Sequence, residues 1–331
     1  MKRILVIRGG AIGDLIFTLP LFEALKIRDP DAEVDLLGYA RIGELAVGRR
    51  HAANLRRVDG AEWAALFSPG GWLGEVERRY LSAFDETYCI WPDADGILSE
   101  NLLRAGSRNV VSVDPTPVEG KGVHVVDHIA QQCEKAGLAV PYREPHLYPS
   151  ERDRIWAERY LRVSGAGDCP LLALSPGSGS PGKNWPAEHY AAVARRWVKR
   201  SRYALIVSGP AEEKMAAELR RSLREDGVFF LSNEPLPCLA AALERCEGFV
   251  GNDSGITHIA AAVRTPTVAI FGPTNPALWQ PRAPQVKVLR PAPPGAELAT
   301  LRPADVLREV EALLRPPKRP SCEEPALPGP A

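Results

Sequence analysis

The regular exchange of short apolar runs for stretches of helical periodicity constrains this chain more than any other feature. Such alternation predicts βαβ units, hence open parallel sheets with helices on both faces. Arg3–Ile7 reads as a buried first strand, and Leu15–Ile27, apolar at 15, 16, 19, 22 and 25, as its helix. Further strands fall at Glu33–Leu37, Leu55–Val58, Thr87–Ile90 and Asn109–Val113, and Val125–Ala136 closes the first half as an amphipathic helix. The Pro-rich stretch 140–151 breaks this rhythm. It restarts at Leu171–Leu174 and continues through strands at 204–207, 228–231, 248–251 and 267–271 to a last helix at 304–314. A length of 331 residues points the same way, because single cores rarely grow past ~250–300 residues. The expected architecture is α/β, with two Rossmann-like domains, 1–145 and 146–315, facing a central cleft. Residues 316–331 hold six prolines and are expected to form a disordered tail.

Charge and cysteine usage narrow the function. Lys+Arg and Asp+Glu both total 41. Residues 1–150 carry 17 basic and 21 acidic side chains and the rest 24 and 20, so neither half is basic enough for a nucleic-acid partner. Cysteines at 89, 133, 169, 238, 246 and 322 form no C-x-x-C, which argues against a zinc site or disulfide scaffold and fits a reducing compartment. No apolar run approaches the ~20 residues of a membrane span. Arg8 cuts short the Ile4–Ile7 run that a signal peptide would need to extend. A soluble, cytoplasmic protein with at most peripheral membrane contact is expected.

In open α/β sheets ligands bind outside the carboxyl ends of the strands, in turns that lead into helices. Four such turns carry unusual residues. Arg8-Gly9-Gly10-Ala11-Ile12-Gly13-Asp14 lacks the dinucleotide fingerprint, since Ala11 and Asp14 stand where G-x-G-x-x-G needs glycine. Gly10 and Gly13 let the backbone approach a ligand, and Asp14 serves either as a helix cap or as a carboxylate facing the cleft. Ser175-Pro176-Gly177 through Lys183-Asn184-Trp185-Pro186 is a small-residue loop with a cation, suited to phosphate, but Asn-Trp-Pro after the lysine excludes a Walker A loop. In Ser208-Gly209-Pro210-Ala211-Glu212-Glu213 a carboxylate either meets a ribose diol or favours the helix dipole. Gly251-Asn252-Asp253-Ser254-Gly255-Ile256-Thr257-His258 ends a strand at good N-caps and leaves free amides at a positive helix end. Lys183 and the Ser254-Gly255 turn follow strands of one parallel sheet and are expected to converge at its carboxyl edge. Two other groupings read as surface turns and helix starts rather than metal sites: Asp93-Ala94-Asp95, and His124 with Asp127 and His128.

These turns together resemble a family. Gly13-Asp14-Leu15-Ile16-Phe17-Thr18-Leu19-Pro20 is similar to the G-D-x-x-x-T-L-P opening of glycosyltransferase family 9, the ADP-heptose:lipopolysaccharide heptosyltransferases and their relatives. Ser175-Pro176-Gly177 to Pro186 resembles the P-G-…-K-x-W-P segment of that family, and Gly251–Ala261 its G-x-D-[ST]-G-x-x-H-x-A-A segment. Pro266-Thr267 and Phe271-Gly272-Pro273-Thr274 follow in the family's order.

The resemblance implies a GT-B fold, with an N-terminal acceptor domain, a C-terminal nucleotide-sugar donor domain and a last helix that packs back across the cleft. It implies an inverting, metal-independent transfer of a sugar, heptose from an ADP-heptose-type donor, to a lipid-linked, lipopolysaccharide-core-like saccharide, with no cofactor. Carried over, Asp14 is the general base and Lys183 neutralises the diphosphate. Asp253 binds the transferred sugar, the Ser254-Gly255 amides and His258 hold phosphate, and Glu212 or Glu213 meets the ribose. The family's acceptor also makes Arg56 and Arg57 candidates for its anionic groups, since guanidinium forks suit carboxylate and phosphate. Such enzymes work in the cytoplasm, at most peripherally on the inner face of the inner membrane. Alternatives sharing the layout are a nucleotide-sugar 2-epimerase, which needs no acceptor, and a non-catalytic nucleotide-sugar binding protein, which needs no base at Asp14.

Overall fold

The computed structural model describes residues 1–315 except 119, 168, 200, 201, 211, 212, 225 and 294. The expected tail, 316–331, and Glu212 lie outside the described residues. Two separate all-parallel sheets form. The first contains β1 (Arg3–Arg8), β2 (Glu33–Gly38), β3 (Asn54–Arg57), β4 (Glu86–Ile90) and β5 (Val110–Val113), in the order β3-β2-β1-β4-β5. The second contains β6 (Leu171–Ser175), β7 (Tyr203–Ser208), β8 (Val228–Ser232), β9 (Gly248–Asn252), β10 (Thr267–Ile270) and β11 (Val286–Leu289), in the order β11-β10-β9-β6-β7-β8. Both sheets are doubly wound, and strand order reverses between β1 and β4 and between β6 and β9. Loops diverge at such a reversal and leave a crevice, which places the ends of β1, β6 and β9 where a ligand binds. β11 is an addition to the sequence reading, because its half-buried edge position gives it no long apolar run.

The helix Ile12–Arg28 starts three residues before the expected Leu15 and is buried almost all round from Leu15 to Leu25. Helices apolar on every face belong inside. This one lies between the first sheet and the helix Gly255–Ala262 of the second half, and one core runs through Val6, Phe17, Phe22, Phe249 and Ile259. The contact is tight at the two helix starts: a Cβ on Gly255 would lie 2.6 Å from the Ile12 side chain, and one on Gly13 3.3 Å from His258.

One expectation is corrected here. The last helix, Pro303–Leu314, does not pack back across the cleft onto the first half. Its apolar stripe, Val306, Leu307 and Val310, is buried with Leu172, Trp197 and Ile270 in the core of the second sheet. That sheet's outer layer, beside the helix Ala187–Val198, offers the apolar surface the stripe needs.

Candidate active site

Asp14 is not the N-cap of its helix but the third residue in, after Ala11, Ile12 and Gly13. Its Oδ2 accepts the Ala11 backbone N–H at 2.7 Å, the acidic half of a capping box whose other half an alanine cannot supply. Beneath it lies Arg8, with 4% of its side chain exposed, each of its three nitrogens donating one hydrogen bond. Nη2 donates to Asp14 Oδ1 at 3.0 Å, Nε to the Asp14 carbonyl at 3.2 Å and Nη1 to the Ile90 carbonyl at 3.1 Å. Burial lowers the Arg8 pKa, while the Asp14 carboxylate opposes that shift. Each Asp14 oxygen thus keeps a lone pair free toward the cleft while its rotamer is held from below. Gly10 makes this possible: it sits at φ +94°, and a Cβ there would fall 2.4 Å from Asp14 Oδ2.

Across the cleft, the loop after β6 and the turn after β9 are stapled together by Asn252, which is wholly buried. Its Oδ1 accepts the Trp185 N–H at 3.0 Å and the Tyr190 hydroxyl at 2.9 Å, and its Nδ2 donates to the Pro176 carbonyl at 2.6 Å. Trp185 is buried too, edge-on to Tyr190, and its Nε1–H reaches the Leu301 carbonyl at 2.9 Å. The Pro181–Lys183 turn is thereby aimed at β9, and Lys183 Nζ donates to Asp253 Oδ2 at 2.7 Å. The Asp253 N–H is tied to the Ile270 carbonyl at 2.9 Å. Ser254 leads the helix Gly255–Ala262 without a side-chain cap, so the first-turn amides keep their donors for an anion. Thr257 Oγ1 turns away from them to the Asn252 carbonyl at 2.5 Å.

His258 is buried edge-on against Phe17, ring centroids 4.7 Å apart. Burial brings its pKa down to about 4, with Asp253 pulling it back up. A neutral imidazole with an unpartnered Nδ1 results. Such a ring carries one N–H and no charge.

Asp14, Lys183, Asp253, Ser254, His258 and Trp279 line one cavity of about 560 Å³. A second, of about 320 Å³, adjoins it through Ala11, Gly179, Ser254 and Gly255, and reaches the ends of β7 and β8. The structure therefore brings together Gly13, Asp14, Lys183, Asp253, Ser254, Gly255 and His258, with Gly10 directly beneath the carboxylate.

Glu213 begins the helix that follows β7. Arg57 ends the edge strand β3, level with Gly38, and pairs with Asp59 at 3.1 Å. Arg56 lies over the rings of Tyr80 and Trp63, at 4.5 and 5.2 Å, and 3.8 Å from Glu77. Neither arginine lines the two cavities. Asp93 and Asp95 cap a helix start, accepting the Leu98 and Ser99 N–H groups at 2.9 Å and the Ile97 N–H at 3.2 Å. His124 caps its own helix and meets the Gln280 carbonyl at 2.8 Å, while Asp127 binds Arg143 and Arg282.

Sequence reasoning missed four residues of the site: Arg8, Asn252 in its stapling role, Trp279, and Glu234, which lines the smaller cavity. A polar residue closing an apolar strand was the available signal for Arg8 and Asn252.

The model of glycosyltransferase family 9 (heptosyltransferase) matches residues 109–303, more than half of the chain. The chain belongs to glycosyltransferase family 9. Lipooligosaccharide heptosyltransferase 2 of Haemophilus ducreyi is 33% identical over 324 residues, covering 87% of this chain and 88% of that one. Its namesake from Haemophilus influenzae is 26% identical over 321 residues, with the same coverage. A crystal structure of a family 9 glycosyl transferase from Veillonella parvula superposes with a TM-score of 0.79 at 22% identity, covering 95% of this chain and 97% of that one. The fold of this family 9 glycosyltransferase is GT-B, its cleft running between the two parallel sheets.

Proposed function

We propose that this glycosyltransferase moves a heptose from an ADP-linked donor to the saccharide core of a lipopolysaccharide-type acceptor, with inversion and without a metal cofactor. The names of its relatives support the sugar and acceptor class. The observation that carries the mechanism is one cavity with Asp14 on one wall and Lys183, Asp253 and the Ser254-Gly255 amides on the other. In this reading residues 1–145 present the acceptor and 146–315 hold the donor. An acceptor hydroxyl attacks the anomeric carbon from the side opposite the diphosphate. Its oxygen bonds to that carbon, its proton goes to Asp14, and the carbon–oxygen bond to the diphosphate breaks with the electron pair leaving on phosphate. General-base catalysis of this kind is worth typically ~10²–10⁴-fold. Lys183 and the helix end stabilise the departing charge, the role a metal ion fills elsewhere. Arg56 and Arg57, on the outer strand of the first sheet, meet acceptor groups reaching beyond the cleft.

An epimerase would need no base facing an acceptor, and a binding protein no base at all, so Asp14 favours transfer. Among the described residues no helix is long and apolar enough to cross a membrane. We place the enzyme in the cytoplasm, at most peripherally on the inner face of the inner membrane.

The test is incubation with ADP-heptose and a core acceptor lacking its heptose, followed by ADP release and product mass, with and without EDTA. Acceptor-dependent ADP release that survives chelation is expected. Release without acceptor, or none at all, overturns the reading.

A further inference from the structure

The smaller cavity deepens this reading by pointing to how the donor's base is chosen. Its walls are mostly apolar: Val207, Leu231, Leu236, Leu239 and Ile256 from the second half, closed by Ile42 and the charged Arg41 from the first. Polar side chains on it are few, and Glu234 is its one carboxylate among the described residues. Slots of this kind hold a planar apolar group and orient it with a few polar contacts.

Strand order sets which part of a nucleoside diphosphate meets which residue. The neighbours β9, β6, β7 and β8 end in sequence along the cleft, at Ser254, Gly179, Ser208-Gly209 and Glu234. Neighbouring strands lie ~4.8 Å apart, so Glu234 stands roughly 14 Å from the diphosphate anchor, three spacings along. The diphosphate occupies the start of that path at the Ser254-Gly255 amides. The ribose then passes over the end of β7, and the base reaches β8.

We propose that Glu234 reads the nucleobase, accepting a hydrogen bond from the exocyclic amino group at purine C6. A carboxylate at neutral pH is acceptor-only. Adenine presents an amino group at C6. Hypoxanthine and guanine present a carbonyl there, whose lone pairs would face the carboxylate unpaired. The proposal rests on the donor-site reading above, and it assigns the preference to one side chain.

The experiment is calorimetric titration of the full chain, and of Glu234→Ala and Glu234→Gln, with ADP, inosine diphosphate and UDP. ADP and inosine diphosphate share ribose and diphosphate and differ only at C6 and the neighbouring N1. A hydrogen bond to a charged group carries a ten- to hundred-fold effect. The parent should therefore prefer ADP to inosine diphosphate by at least about ten-fold. Glu234→Ala should lose most of that ratio by weakening ADP alone. Glu234→Gln, nearly isosteric and able to donate to a carbonyl, should move the ratio toward inosine diphosphate. Equal losses for both purine ligands, or an unchanged ratio in both variants, overturns the assignment and leaves the donor site standing. A folded parent that binds none of the three diphosphates overturns the donor reading, and this inference with it.

Discussion

Replacing Asp253 with Asn should tighten binding of bare ADP while weakening transfer. Lys183 Nζ donates to Asp253, 2.7 Å away, with the carboxylate 8% and the lysine 32% exposed. A diphosphate on the Ser254-Gly255 amides must share that ammonium and face the carboxylate. At about 5 Å and an effective dielectric of about 20, carboxylate–phosphate repulsion is about 3 kcal/mol. Lys183 already offsets part of it, and solvent at the half-open lysine screens more. A net gain of about 1–2 kcal/mol remains, a five- to thirty-fold tighter Kd. Turnover should fall, because the same carboxylate is the proposed anchor of the transferred sugar. Calorimetric titration of ADP at low and high salt, with kcat measured alongside, separates the two effects, and the gain should shrink with salt. An ADP affinity unchanged or weaker in a folded Asp253→Asn protein would refute the shared-lysine reasoning.

Asp14→Asn should keep ADP affinity within about two-fold and lower kcat by ~10²–10⁴-fold, as titration and steady-state assays would show; near-normal kcat sinks the base assignment. For Arg8, Lys should restore much of the kcat lost in Gln, because a cation under the turn holds the Asp14 carboxylate in place; equal kcat in both variants would leave Arg8 a purely structural role. Stability should fall as pH drops from 6.5 toward 4, because the unfolded chain takes up a proton at His258 that the folded protein, with that pKa at about 4, refuses. At about 1.4 kcal/mol per unit this amounts to about 3 kcal/mol, and urea melts at pH 7.5 and 4.5 should show His258→Asn losing less than the parent.

Much of the site was legible because strand-to-helix turns announce themselves locally. Asp14, Lys183 and Asp253–His258 follow apolar runs and precede helical periodicity, and the carboxyl-edge rule brings such turns together. The partner of Arg8 was not legible. In sequence Arg8 closes an apolar strand, and only the fold shows its side chain turned under the Asp14 turn to reach Ile90, 82 residues away. Glu234 sits in a loop with no glycine signature, and it matters only because β8 lies three strands from β9.

The sequence by itself determined the element types, the α/β class and the turns that carry polar groups. These follow from side-chain periodicity and from backbone groups a few residues apart. Tertiary structure alone decided strand order, the docking of the last helix on the second sheet, and the pairing of Lys183 with Asp253 across 70 residues. The physical reason is that periodicity specifies which face of an element is apolar, not which other element covers it. That choice is made by the summed burial of both cores, through contacts no local window contains.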